Sequence, residues 1–533
     1  MPGAARCPAA DRGHAQMLES VSPAPARGPA APAREPGGAA VPRWAVAATL
    51  GAILAIAAFL RFVDLAVNPG GLYTDEATEA YDALRLLHVP GFHPVFLADG
   101  GGREALFAYA VAGVFRLAGE TVLALRATAA GFGVAGVAAT WLLARRFGTL
   151  AGLAGAGWAA GSLWLICVSR DGMRNAMVPL FGALALLALL EWERRRSGRS
   201  AALAGAMAAL AALYTYQPLK LIPLLVLLWL LWVRRVDRAT WRELRRGLIP
   251  LVAAFLVVGA PMLLTAATDP VGYFGRAAMV SPLNPGVQSD SSLPIHWLRT
   301  LGMFAVVGDP NARHDVDALP LLGWPLTVAA AVGCLRLWRL RRDPGHALIL
   351  LALPVFLLAP LLAVEGESPH FLRALGLAAP LGVAIGLGVE SLVGEARRRR
   401  GATGARGATA ITSIVLLALA AASGQAYLSR PAADRYDAYS YDLTAMAAVA
   451  GAAHGSAVIL DDYAATAVRF LDAADPPAVL APGTRVADPA AYRAVFACSR
   501  AALASALGPA AAASASIVAR DPVGRPRVWA ASP

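Results

Sequence analysis

The chain has almost no lysine. Lys220 is the single one among 533 residues, so nearly all the positive charge in a net of +12 is carried by arginine. Charge of either sign is scarce. Asp, Glu, Lys and Arg make up 15% of the residues, where a soluble globular domain carries about a quarter. With 57% hydrophobic residues and a mean hydropathy of +0.55, a chain of this length cannot hide its apolar surface in one aqueous core. Lipid must be part of its solvent. Cysteine is also nearly absent: Cys7, Cys167, Cys334 and Cys498 are scattered and form no CxxC pair. That excludes a thiolate metal centre and a disulfide framework as organising features. The arginines cluster between apolar runs, where they orient helices in a bilayer, so no nucleic-acid partner is expected.

What is present is a series of apolar segments. Crossing the hydrocarbon core takes about 20 apolar residues. Twelve candidate segments lie between Trp44 and Tyr427, which predicts an all-α polytopic membrane protein with 11–13 crossings. The arginine-rich connections 145–146, 194–199, 234–246, 336–342 and 397–406 are expected on the cytoplasmic side. The loop 67–104, the segments 169–176, 268–318 and 365–371, and everything after Tyr427 then fall outside. One parity conflict arises. Two apolar runs separate loop 67–104 from Arg145, yet one net crossing is allowed. Either Leu106–Ala118 does not span, or Arg145-Arg146 breaks the charge rule. Residues 1–42, rich in Ala, Pro and Gly, predict a disordered cytoplasmic tail. Residues 43–428 are expected to form the membrane domain. Residues 429–533 are expected to form a small extracytoplasmic α/β domain, from the apolar run Ser456 to Asp462 and the Ala-rich stretches that follow.

Polar residues concentrate in the loops assigned to one face. Loop 67–104 contains TDEATEAYDALRLLH and holds Asp75, Glu76, His93, Arg103 and Glu104. Its apolar residues Ala80, Leu84 and Leu87 recur at helical spacing, which predicts an amphipathic helix lying along the membrane surface. SRDGMRNAMVP contributes Arg170 and Arg174, on a side where arginine needs a reason such as anion binding. YTYQPLK contributes Lys220. GDPNARHDVDALP contributes Asp309 and His314, and EGESPHFLR contributes His370 and Arg373. Taken singly, each is a solvated loop residue. Converging, they supply what moving a group off a lipid phosphate requires. Carboxylates serve as base or metal ligand, and Arg103, Arg170, Arg174, Lys220 and Arg373 are candidates to hold a phosphate. His93, Glu104, Asp309, His314 and His370 are acceptor or metal candidates. A divalent metal on Asp75, Glu76, His93 or Glu104 is compatible with these donors, although no spacing demands one, and no other cofactor is indicated.

In this context NPGGLYTDEATEAYDALRLL, GREALFAYA, SRDGMRNAMVPL, YTYQP, GDPNARHDVDALPLLG and PHFLRALGLAAP resemble the GT-C superfamily of membrane glycosyltransferases. They are most similar to its glycosyltransferase family 39, the dolichyl-phosphate-mannose-protein mannosyltransferase-like branch, over roughly residues 44–430. The resemblance implies a polyprenyl-phosphate-linked sugar as donor and a glycan, lipid or protein hydroxyl as acceptor. It implies a multi-pass location in the plasma (inner) membrane with an extracytoplasmic site. The family's catalytic base maps onto Asp75, with Glu76 as the paired acidic position. Direct displacement of the phosphate would invert the sugar. Arg103-Glu104-Ala105 departs from the pattern of the lipid A aminoarabinose transferase, so that enzyme's acceptor is not carried over. The rival class, a transporter or flippase of lipid-linked sugars, would show internal repeats and charges in mid-helix. The sequence shows no clear repeat, and its charges sit at loops.

Overall fold

The computed structural model describes residues 42–97 and 102–531. The expected disordered tail lies outside the described residues. Trp44–Pro533 form one compact unit. The membrane region contains helices α1 (Arg43–Phe62), α2 (Thr74–His88), α3 (Leu106–Ala118), α4 (Val122–Ala144), α5 (Thr149–Gly161), α6 (Leu163–Arg170), α7 (Val178–Arg195), α8 (Gly198–Tyr214), α9 (Ile222–Val236), α10 (Arg238–Leu244), α11 (Leu248–Thr268), α12 (Pro270–Met279), α13 (Leu293–Gly302), α14 (Gly323–Arg339), α15 (Pro344–Leu362) and α16 (Ala378–Leu428). Strands β1 (Phe96–Leu97) and β2 (Arg103–Glu104) form a short antiparallel pair between α2 and α3.

Among the described residues six helices are individually long and apolar enough to cross a membrane. A seventh span is the pair α5–α6, bent by 56°. This is fewer than the 11–13 expected, for two physical reasons. α8, α9 and α14 have only 15–17 residues, short of the roughly 20 that one isolated crossing takes. And α16 is two helices joined at Gly401, whose φ of 62° and ψ of −153° are non-helical. Along the chain the helices of the bundle alternate with the arginine-rich connections. The arginine-rich connections lie at one end. The other end carries the loops that begin at Asn68, Asp171, Thr215, Asp269, Ala363 and Ser429.

α3 settles the parity conflict. Its 13 residues do not bridge the two ends. At its start it follows β2, and just beyond its end the Glu120 carboxylate accepts from His88 Nε2 at 2.6 Å, at the foot of α2. Its Phe115 stacks on Phe470 of the C-terminal region at 5.9 Å between centroids. Leu106–Ala118 is therefore too short to bridge the two ends, the first of the two alternatives that the parity left.

Small residues let the bundle close. A Cβ placed on Gly386 of α16 would lie 2.1 Å from the Ala151 carbonyl oxygen of α5, and one on Gly155 would lie 2.5 Å from the Gly382 oxygen. In lipid, where apolar side chains gain little by meeting each other, such backbone approach is what holds helices together.

The C-terminal region adds α17 (Ala432–Ala438), α18 (Tyr441–Gly451), α19 (Asp462–Leu471), α20 (Arg500–Leu507) and α21 (Pro509–Ser514). Its strands are β3 (Ala457–Ile459), β4 (Ala478–Leu480), β5 (Val495–Ala497), β6 (Ser516–Arg520) and β7 (Pro526–Ala531). They form one sheet in the order β4-β3-β5-β7-β6. β3 runs parallel to β4 and β5, and β7 runs antiparallel to β5 and β6. Leu443, Met446 and Phe470 share one apolar cluster with Leu84, Phe107 and Phe115. Thr78 bonds Thr466 across this contact at 3.2 Å. Gly71 lies so close to Tyr439 that a Cβ there would sit 2.1 Å from the Tyr439 oxygen.

Candidate active site

The acidic helix α2 is buried on both its apolar and its acidic side, where its periodicity predicts one polar, solvated side. Asp75 and Glu76 open its first turn, where carboxylates complement the helix dipole, and Arg85 and His88 close it. Its apolar side, with Ala80 and Leu84, packs on α3 and α19. Its acidic side is buried as well: Glu76, Glu79 and Asp82 are each at most 2% exposed. Buried carboxylates require partners, and each has one. Arg126 of α4 grips Glu76 with two bonds, 2.6 and 2.9 Å, and the Gly172 N–H adds a third at 3.0 Å. Arg174 meets Glu79 at 2.8 Å. Arg103 meets Asp82 at 2.7 Å.

Asp75 is left on the open side. It lines a cavity of about 730 Å³ between α2, α12, α15 and the turns before α7 and α9. The same wall holds Arg103, Arg174, Lys220, Arg276, Arg313 and Arg373, six cations to one carboxylate. Four acids stand behind these cations. Glu104 forms ion pairs with Lys220 at 3.1 Å and with Arg174 at 3.4 Å. Glu365 lies 3.4 Å from Arg373 and 3.8 Å from Arg276. Glu79 and Asp82 are the other two. Although these acids stand behind them, the cations outnumber the single carboxylate in the wall itself, which suits an anionic ligand such as a phosphate.

Aromatic rings hold the cations apart. Lys220 lies 4.5 Å from the Tyr273 ring, Arg174 5.4 Å from Tyr216, and Arg313 3.6 Å from Tyr73. Burial, followed by the negative charge of Asp75, raises the Tyr73 hydroxyl above its usual range. The far side of the cavity is apolar, with Phe274, Val280, Leu283, Leu358 and Leu362. Of these, Phe274, Leu283 and Leu362 are exposed. Tyr463 of α19 completes the lining from the C-terminal region.

His314 and His370 also line the cavity, and Asp309 lies behind them. The Asp309 carboxylate takes His314 Nδ1 at 2.9 Å and the Phe371 N–H at 2.6 Å. Burial first, then Arg373, pushes the His370 imidazole well below its ordinary value, so it is neutral. Burial likewise lowers the Arg373 guanidinium. Its Nη1 is held by the Ala363 and Glu365 carbonyls, each at 2.7 Å.

Of the residues singled out from sequence, the fold brings Asp75, Arg103, Arg174, Lys220, His314, His370 and Arg373 to the cavity, with Glu104 and Asp309 directly behind its wall. Three go elsewhere. Glu76 turns into the bundle toward Arg126. Arg170 is fully buried and ties the end of α1 by donating to the Leu60, Val63 and Asn68 carbonyls at 2.7–3.2 Å. His93 is exposed and off the cavity. The sequence reading missed Arg126, Arg276, Tyr73, Tyr216 and Tyr273. An arginine near the start of an otherwise apolar transmembrane run was the available signal for Arg126. An arginine on the short amphipathic stretch DPVGYFGRAAM was the signal for Arg276.

Residues 104–264 match the family model described as dolichyl-phosphate-mannose-protein mannosyltransferase. No curated protein matches the sequence. Among solved structures, the chain is similar to ArnT from Cupriavidus metallidurans bound to undecaprenyl phosphate, with 14% identity over 90% of this chain and 97% of that one, at a TM-score of 0.58. It is also similar to the Archaeoglobus fulgidus oligosaccharyltransferase in the apo form, with 13% identity over 82% of this chain and 65% of that one, at a TM-score of 0.50.

Proposed function

For a multi-span membrane protein with the GT-C glycosyltransferase fold, we propose that the reaction is transfer of a monosaccharide from a polyprenyl-phosphate-linked donor to an acceptor hydroxyl, with Asp75 as general base. The observation that carries this reading is the composition of the cavity wall. One carboxylate and six cations line a space whose apolar lining is partly exposed. That lining suits a prenyl chain, and the cations suit its phosphate. The undecaprenyl phosphate held by the Cupriavidus ArnT structure is a ligand of this class.

The acceptor oxygen attacks the anomeric carbon while Asp75 takes its proton. The bond from that carbon to the phosphate oxygen breaks, and the phosphate leaves with the electron pair. Lys220, Arg174 and Arg276 stabilise the charge that gathers on it. One direct displacement inverts the anomeric centre. The phosphate is already a good leaving group, so the site needs no strong general acid. The cavity opens at the bundle end opposite the arginine-rich connections, which supports an extracytoplasmic site.

Asp75→Asn tests the assignment, because Asn keeps the shape and removes the proton acceptor. Transfer of labelled sugar from polyprenyl-phosphate donors by purified protein should fall roughly 10²–10⁴-fold. Undecaprenyl phosphate binding should stay within about twofold, since the cations that hold phosphate are unchanged. Transfer at the wild-type rate would remove Asp75 from the chemistry. A wild type that moves lipid-linked sugars without transferring them would instead favour the transporter reading.

A further inference from the structure

We propose that Asp309, His314 and His370 form a binding site for a divalent transition metal ion, zinc being the first choice, in the wall of the cavity. One donor atom from each residue lies within 4.8 Å of the others. The residues come from two loops, before α14 and after α15, so the convergence is a product of the fold and not of local sequence.

The two imidazoles are prepared for this role. His314 Nδ1 stands 2.9 Å from an Asp309 carboxylate oxygen, near the spacing of two donors on one ion, so in the metal-bound form Nδ1 gives up its proton and coordinates beside that oxygen. The carboxylate is itself held by the Asn311 and Phe371 N–H groups at 2.8 and 2.6 Å. Through Phe371, its chain neighbour, His370 is tied to the same anchor. The rings lie 4.9 Å apart, tilted by 39°. His370 Nδ1 is buried without a hydrogen-bond partner among the described residues. An unmet buried polar atom is unfavourable, and a metal ion would satisfy it.

Two nitrogens and a carboxylate suit zinc and its neighbours better than magnesium or calcium, which take oxygen ligands. Metal–ligand bonds of about 2.0–2.2 Å place tetrahedral donors roughly 3.3–3.6 Å apart, so only a small closure of the loops is needed on binding. Three protein ligands leave a position open, as in catalytic zinc sites, and here it faces the cavity. Arg313 and Arg373 line the same wall and repel a dication. An anionic ligand at the open position offsets that repulsion, and a phosphate monoester is such a ligand. This last step rests on the glycosyl-transfer reading, whereas the site itself does not.

The test uses the full chain in detergent, stripped with chelator, dialysed against zinc and measured for bound metal. Wild type and His93→Ala should retain about one equivalent. His314→Ala and the conservative His370→Gln should retain less than about a tenth of that under the same competition, given the 10–100-fold losses typical of disturbed metal shells. Zinc should raise the Tm of the wild type but not of His370→Gln, in samples shown by gel filtration to be folded. Equal zinc in wild type and the two site variants would overturn the proposal, as would a wild type that retains none. The readout needs no sugar transfer. A protein that holds zinc but transfers nothing would refute the enzymatic reading and leave the site standing.

Discussion

Replacing Glu76 by Gln removes the charge from a pair in which both side chains are 1% exposed. Glu76 stands beside the proposed base in sequence, yet it points the other way. Its two oxygens take Arg126 Nε and Nη2, and one also takes the Gly172 N–H. A Gln amide presents one oxygen instead of two and turns an NH₂ toward a guanidinium. Arg126 then stays buried with its charge unmet, and breaking a buried pair on one side costs about 3–5 kcal/mol. For a chain of this size that corresponds to a Tm fall of roughly 3–5 °C. The double variant Glu76→Gln/Arg126→Met removes the stranded charge, so it should be less destabilised than the sum of the singles, with a coupling of about 1–3 kcal/mol. Thermal unfolding in detergent, followed by the fluorescence of the 12 tryptophans, measures this directly. Transfer should track the folded fraction of each variant. A Glu76→Gln protein with wild-type Tm but transfer reduced roughly 10²–10⁴-fold would refute the structural account and return Glu76 to the chemistry.

Two further outcomes follow from the packing. Burial, followed by the negative charge of Glu76, raises the Asp171 carboxyl to about 6, above its unfolded value of about 3.9. The folded state therefore binds the proton more tightly, so this group lowers stability as pH rises from about 4 to 6, by on the order of 3 kcal/mol in full above 6. Asp171→Asn keeps an acceptor for the Tyr439 hydroxyl, which bonds Asp171 at 2.7 Å. It should raise Tm at neutral pH and flatten that dependence, and an unchanged pH–Tm curve would contradict the assignment. Gly386→Val should yield no folded protein by gel filtration, because its Cβ would stand 2.1 Å from the Ala151 oxygen, whereas Gly51→Val in α1, with open space around it, should be tolerated. Equal yields from the two would contradict the close-packing account.

Much of the architecture was legible in residue order because its causes are local or imposed by lipid. Apolar runs, the arginines at their ends and the caps at Thr121, Ser197 and Asp343 place the helices and their direction. The Ser456–Asp462 run marks the strand β3, inside the C-terminal sheet between β4 and β5. Asp75 was legible for the same reason: it stands in the first turn of a helix whose motif is recognisable on its own. The fate of the other acids on that helix was not. Glu76 read as the acidic partner of Asp75, and Glu79 and Asp82 as the polar side of an amphipathic helix, since helical periodicity shows which residues share a side but not what that side meets. Arg126, Arg174 and Arg103 arrive from 50, 95 and 21 residues away, and only their arrival makes burial of those carboxylates possible. Arg170 and Arg373, equivalent as lone outer-face arginines in sequence, separate for the same reason. One is enclosed by the backbone at the end of α1, and the other lines the cavity. Composition and periodicity determined a bundle in lipid with its polar loops at one end. Which of those loop charges face the cavity and which are spent holding helices together was decided by tertiary contacts alone, because a buried charge is tolerated only where a distant partner meets it.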